Sequence, residues 1–181
     1  WLPLISGVAL AEAVRELGVE VALKWPNDLL IKAGSGWGKA AGVLAEGLVT
    51  EDGVAVVLGM GVNVHHGAEQ LPAGGGLAPT SLELCGADVD RERFAAELLL
   101  AFAEVDALWR EQSGDAVGSG LFDRYQRLCG TLGKQVRVEL GEQDLHGTAS
   151  EIDPSGRLVV HGADGAVTPV SAGDVVHLRP A

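Results

Sequence analysis

The first residues with a readable period are Leu4, Val8, Ala11 and Val14, which recur at helical spacing, with Glu12, Arg15 and Glu16 crowding the later turns and Gly18 as a stop. This predicts a helix over Leu4–Leu17. The period then changes to two. Val19, Val21 and Leu23 alternate with Glu20 and Ala22 and run into Lys24-Trp25-Pro26-Asn27-Asp28, where proline and Asn-Asp end the strand in a turn. Leu29–Ile31 and Ala40–Glu46 read as two further strands joined by the glycine-rich stretch Ala33–Gly38, and Val54–Leu58 as a fourth. Short strands with tight connections pair antiparallel. A long connection from His65 to Pro79, with Gly74-Gly75-Gly76 inside it, is longer than structural filler and predicts a functional loop or lid.

From Arg91 to Gln112 the stripe Phe94, Leu98, Val105, Leu108 and Trp109, with Asp90 as an N-cap, predicts the longest helix. A loop over Ser113–Gly120 leads to a short helix around Phe122–Leu128, which Gly130 ends. After Thr131 the character is all β. Val136–Leu140, Thr148–Ile152, Leu158–His161 and Val175–Leu178 are separated by Gly141-Glu142, Asp153-Pro154-Ser155-Gly156 and Ala163-Asp164-Gly165. Runs at roughly ten-residue spacing with turn chemistry between them suggest a small barrel. The fold class is thus α+β, with residues 1-130 as one domain and 131-181 as a second, and no internal repeat.

Composition narrows the function. Of 181 residues 47% are hydrophobic, enough to bury a core, and no apolar run reaches the roughly 18 residues of a membrane span. The formal charge of -12, from 25 acidic against 13 basic residues, repels phosphate backbones and argues against nucleic-acid binding by these residues. Any nucleotide site must gather its few cations locally. Cys85 and Cys129 lack the spacing of a zinc site or redox pair and read as ordinary thiols of a cytoplasmic protein. The chain opens with Trp1 and has Met60 as its one methionine, so it reads as a piece of a longer protein.

The most informative string is Lys24–Ile31, which fixes a lysine beside a proline turn at the end of a buried strand. A cation held so suits the developing charge of phosphoryl or nucleotidyl transfer, and a solvated strand-end lysine is the bland alternative. Lys39-Ala40-Ala41-Gly42 follows. A hairpin would bring Lys39 to the same rim, and Gly42 lets a ligand or a neighbouring backbone come close. Gly59-Met60-Gly61-Val62-Asn63 lacks the third glycine and the following helix of a dinucleotide fingerprint, although Asn63 suits contact with phosphate or metal-bound water. His65 and His66 are adjacent, point to opposite faces of a strand and lack a third ligand at useful spacing, so no metal residues are assigned.

Taken together and in this order, Lys24–Leu30, Lys39–Glu46 and Gly59–Asn63 resemble the signature of bacterial biotin protein ligases, and Thr80-Ser81-Leu82 resembles the family's Thr-Ser-Leu. The resemblance covers essentially the whole chain. It implies a catalytic fold of the biotinyl/lipoyl ligase type, a mixed and largely antiparallel sheet with helices related to class II aminoacyl-tRNA synthetases, followed by a small SH3-like barrel. It implies formation of biotinyl-AMP from biotin and Mg-ATP (ATP and Mg2+ as cofactors), then transfer to a lysine of the biotin carrier domain of an acyl-CoA or pyruvate carboxylase. It makes Lys24 the catalytic lysine that contacts biotin, with Gly42 at the biotinyl-AMP, and sets Lys39 and Asn63 near ATP. Asn27 and Asp28 are expected to shape the turn. The His65–Pro79 loop would fold over the adenosine, without a tryptophan to stack on it. A lipoate or octanoate ligase, and a non-catalytic module that binds carrier proteins, are the competing readings, and a homodimer is left open.

The family's arginine- and glycine-rich biotin loop has no counterpart here, since Arg15 is the one arginine before Arg91. The isolated chain is therefore expected not to make biotinyl-AMP. Biotin-dependent exchange of pyrophosphate into ATP above background would overturn that expectation.

Overall fold

The computed structural model describes residues 1–51, 53–72, 77–141 and 144–178; the triple glycine 74–76 and Glu142 lie outside the described residues. The α+β class holds. Helix α1 (Leu2–Arg15) is followed by β1 (Val21–Lys24), β2 (Asp28–Ala33), β3 (Gly36–Thr50) and β4 (Gly53–Val62), then α2 (Arg91–Glu111) and α3 (Leu121–Leu128). The last third is β5 (Gln135–Glu139), β6 (Asp144–Ile152), β7 (Leu158–His161), β8 (Val167–Val170) and β9 (Asp174–His177).

Strands β1 to β4 form one antiparallel sheet in sequence order. Among the described residues the sheet gains parallel character from two isolated bridges, Leu23 with Cys129 and Lys39 with Pro79. The second sheet, ordered β8-β7-β6-β5-β9, is antiparallel throughout and leaves β8 and β9 at its two edges. Sequence reasoning missed β8, because Thr168 and Pro169 interrupt the alternation; proline is tolerated there because β8 is an edge strand.

Helix α1 is buried almost all round, Leu4, Ile5, Val8, Ala9, Leu10, Ala11, Ala13 and Val14 being core residues. The four residues read as a stripe are part of a fully apolar helix, because α1 lies between the first sheet and helices α2 and α3. Arg124 of α3 grips the Glu12 carboxylate with Nε at 3.0 Å. The Asp90 side chain caps α2, accepting from the backbone N–H groups of Glu92 and Arg93 at 3.0 Å each. Phe94, Leu98 and Val105 are buried as expected, but Leu108 is 39% exposed. The next residue, Trp109, packs against the core, so Leu108 sits at the margin of the buried stripe rather than within it.

Strands β2, β3, β4 and β6 are all longer than their hydrophobic patterns suggest, β3 and β4 the most. Ala33–Gly38 is not an extended loop but a tight turn at Gly34-Ser35 with strand on both sides, and the far half of the β3–β4 hairpin leaves Leu48, Val49, Val54 and Val57 exposed. The stretch from Gly59 to Val62 belongs to β4, which accounts for the missing phosphate loop.

One buried cluster runs through both sheets. Trp25, 1% exposed, donates its indole N–H to the Gly156 carbonyl at 3.0 Å, and Trp1 donates to Pro154 at 2.8 Å. Both acceptors sit in the turn between β6 and β7. Gly156 has φ +83°, and a Cβ there would meet Leu4 Cδ1 at 2.8 Å. Gly156→Ala should cost about 1–3 kcal/mol in urea unfolding. Gly165→Ala, at φ +85° but facing open space, should cost less.

Candidate functional site

Register brings the chemistry together. Lys24 pairs with Asp28, Asp28 with Gly42 and Gly42 with Gly61, so one row crosses all four strands of the first sheet with its side-chain positions on the same face. Two positions in the row are charged and two carry no side chain. Beside the glycines lies an open groove of about 560 Å³ lined by Asn27, Gly42, Val43, Leu44, Gly59, Met60 and Gly61.

Lys39 would not join this row in a regular strand, because it is three residues from Gly42 and so belongs on the opposite face. A bulge changes that. Leu29 pairs with Ala41 and Leu30 with Lys39, which makes Ala40 the extra residue and turns Lys39 back to the face of Asp28. Its ammonium lies 2.6 Å from Asp28 Oδ1, while the Lys24 ammonium lies 3.2 Å from Asp28 Oδ2. Asp28 is 9% exposed at its side chain, Lys24 10% and Lys39 45%. A buried carboxylate needs charged partners, and Asp28 has one on each oxygen.

The two lysines therefore share a rim as expected, and Asp28, read from sequence as a turn former, is their bridge. A carboxylate directly after a proline turn looks like any other turn residue, so only its cross-strand partners reveal it. Asn27 does shape the turn, donating from Nδ2 to the Val43 carbonyl at 2.8 Å. A Cβ on Gly42 would make ordinary contact with Asp28 Oδ1 and Lys39 Cε, each at 3.7 Å, so a small side chain could be accommodated there beside the ion pair. Asn63 lies just past β4, its backbone N–H on the Ala40 carbonyl and its Nδ2 on the Thr80 carbonyl at 3.0 Å. It ties the Thr80-Ser81-Leu82 segment to β3. Ala78 and Thr80 bond the backbone of Lys39 from the other side. Gly38 is needed for this, since a Cβ there would lie 2.6 Å from Thr80 Cγ2.

The C-terminal sheet also reaches the site. Asp174 Oδ1 at the start of β9 lies 3.5 Å from the Lys24 ammonium. Thr131 accepts from the Trp25 backbone N–H at 3.0 Å, and its hydroxyl lies 3.0 Å from His177 Nε2. Burial, and then the charges of Lys24 and Lys134, push His177 down to about 4, so the ring is neutral near pH 7 and its Nε2 can accept from Thr131. His65, by contrast, contacts the Val89 carbonyl. Among the described residues no group of three or more His, Cys, Asp and Glu side chains is arranged to hold a metal. No described helix is long and apolar enough to cross a membrane.

An imidazole that titrates at 6.5 when unfolded and at about 4 when folded costs nothing above pH 6.5 and destabilises the fold progressively as pH falls from 6.5 toward 4. His177→Gln keeps an acceptor for Thr131 and removes the titration. Its unfolding free energy should fall less steeply than that of the wild type across this window in urea titrations at stepped pH.

Comparison with known proteins bears on the same regions. Residues 131–178 match the family described as biotin protein ligase C terminal domain. The chain is 39% identical to the biotin--[acetyl-CoA-carboxylase] ligase of Mycobacterium tuberculosis over 99% of its own length and 63% of that protein's. It is 30% identical to the bifunctional ligase/repressor BirA of Escherichia coli over 96% of its length, spanning 52% of that protein. The fold is similar to that of the Aquifex aeolicus biotin protein ligase in complex with biotin and ATP, with a TM-score of 0.77, 25% identity and coverage of 99% of this chain and 71% of that one. The chain thus spans about half to two-thirds of the length of the relatives it matches. Over nearly its whole length it is a homologue of the bacterial biotin protein ligases, with their fold and, at residues 131–178, their C-terminal domain.

Proposed function

We propose that these residues serve biotin protein ligation. A carboxylate oxygen of biotin attacks the α-phosphorus of ATP, the bond to pyrophosphate breaks, and biotinyl-AMP forms. The ε-amine of a carrier lysine then attacks the acyl carbon; the C–N bond forms, AMP leaves and the amine's proton passes to solvent. The biotin carrier domain of an acyl-CoA or pyruvate carboxylase is the acceptor in this reading, and the cytoplasm is where it would be met.

The observation that carries the reading is the row of Lys24, Asp28, Gly42 and Gly61 with Lys39 turned onto it. The first step brings a carboxylate and a polyphosphate together, so repulsion between anions is its main obstacle, and fixed cations beside a side-chain-free strip answer it. Burial supports a division of labour that differs from what the family resemblance alone suggested. Lys24 is engaged by two carboxylates and nearly covered, so it stabilises charge from beneath through Asp28. The greater exposure of Lys39 supports giving it the direct contact with the adenylate, where Gly42 and Gly61 leave room. Asn63 contributes by holding the backbone around Lys39 and Thr80. Asp28 is already occupied by two lysines, so these residues do not make a magnesium site of their own. In this reading Mg2+ comes with the phosphates of ATP, and no step is routed through a protein-bound ion.

The open edge of β4, with Val54 and Val57 exposed, is where a second copy would pair in a homodimer. The competing carrier-binding reading requires carrier affinity that is indifferent to Lys24→Ala. Calorimetry with a non-hydrolysable biotinyl-adenylate analogue tests the site directly. Lys39→Ala should weaken binding at least about tenfold, the loss of one charge-assisted hydrogen bond. Equal binding by the wild-type chain and the variant would remove the ligase assignment of this groove.

A further inference from the structure

The contact between Lys24 and Asp174 joins two sheets that have no strand in common. Lys24 is buried and belongs to the first sheet; Asp174, 73% exposed at its side chain, opens β9 at the edge of the second. The placement of Asp174 is built into the backbone. It follows Gly173, whose φ is +149° and whose absent Cβ would lie 2.9 Å from Val138 Cγ1 and 3.1 Å from the Glu139 carbonyl oxygen. Glycine therefore lets the chain enter β9 flush against β5, where Asp174 pairs with Glu139 and Val175 with Val138.

The pair has little to do with stability. An ion pair with one partner this exposed contributes little, and the sheets are already joined by the Trp1, Trp25 and Thr131 hydrogen bonds. Its effect is on charge. Lys24 and Lys39 bring two positive charges to the row, Asp28 neutralises one, and Asp174 neutralises the other from across the domain junction. His177 on the same strand is neutral and adds nothing to the balance near pH 7.

We infer that Asp174 is a positioning residue, supplied by the C-terminal domain, that acts through Lys24 and Asp28 to weaken the hold of the groove on anions. This rests on the ligase reading of the groove given above. With Asp174 present, the Lys24 ammonium is shared between two carboxylates, and Asp28 keeps a strong claim on Lys39. Without its charge, Lys24 falls wholly to Asp28, Lys39 is released toward the groove, and the site gains one net positive charge. A reaction that ends in pyrophosphate and AMP needs its anionic products to leave, and a counter-charge at this point favours their release.

The test is calorimetric titration of inorganic pyrophosphate into the 181-residue chain at low salt. Asp174→Asn should bind roughly two- to fivefold tighter, as one charge within several ångströms implies in a solvated site. The gain should shrink as the ionic strength rises toward about 0.5 M. Asp174→Ser should behave like Asp174→Asn, Asp174→Glu should stay near wild type, and melting temperatures should agree within about 2 °C. Binding by the wild type with equal or weaker binding by Asp174→Asn and Asp174→Ser overturns the inference and leaves the ligase reading standing. A wild-type chain that binds no pyrophosphate, with Lys39→Ala indistinguishable from it, overturns the anion site and the inference together.

Discussion

A carboxylate taken almost completely out of water must be paired, and Asp28 is paired twice. Each of its oxygens holds one lysine, at 3.2 Å for Lys24 and 2.6 Å for Lys39. Removing either partner leaves a buried charge with incomplete compensation, which is why such a triad constrains everything around it. It sets where β1 must end, where β2 must begin and which face Lys39 must take. The rest of the site follows from these placements. Two glycines continue the row across β3 and β4, and the groove opens where their side chains would have been.

The same triad lies where the two sheets meet. Lys24 is reached by Asp174, and the next residue, Trp25, is anchored on both sides: its backbone N–H on Thr131 and its indole on Gly156. Hydrophobic burial joins the sheets without direction, whereas these hydrogen bonds fix how the second sheet meets the lysine row. The strand that carries Asp174 also carries His177, whose neutrality depends on burial and on Lys24 itself. The C-terminal domain is thereby part of the electrostatic environment of the groove, in a chain whose overall charge of -12 otherwise disfavours anions.

Much of this was legible in the sequence because it is written in local periodicity. Helix α2 follows from the stripe Phe94, Leu98 and Val105 with Asp90 as its cap, and the antiparallel strands from short alternating runs between turn residues. The lysines and Gly42 were also picked out, since charged residues and glycines within apolar strand patterns stand out in one dimension, whereas Gly61 was read only as part of a string that fails as a phosphate loop. Where local pattern is weak the reading fell short. Strand β8 is interrupted by Thr168-Pro169, and Leu108 fits its stripe but sits at its exposed margin, beside a Trp109 that packs against the core.

The sequence by itself determined which elements form and which residues carry charge, because propensity and hydrophobic period are properties of neighbours along the chain. It left Asp28 indistinguishable from a turn former. Only the tertiary structure decided that one extra residue, Ala40, reverses the face of Lys39 and that Asp174 meets Lys24 from a second sheet. Register and bulges are settled by pairing between strands, and contacts between domains by how two buried surfaces fit; neither has a periodic signature along a single chain.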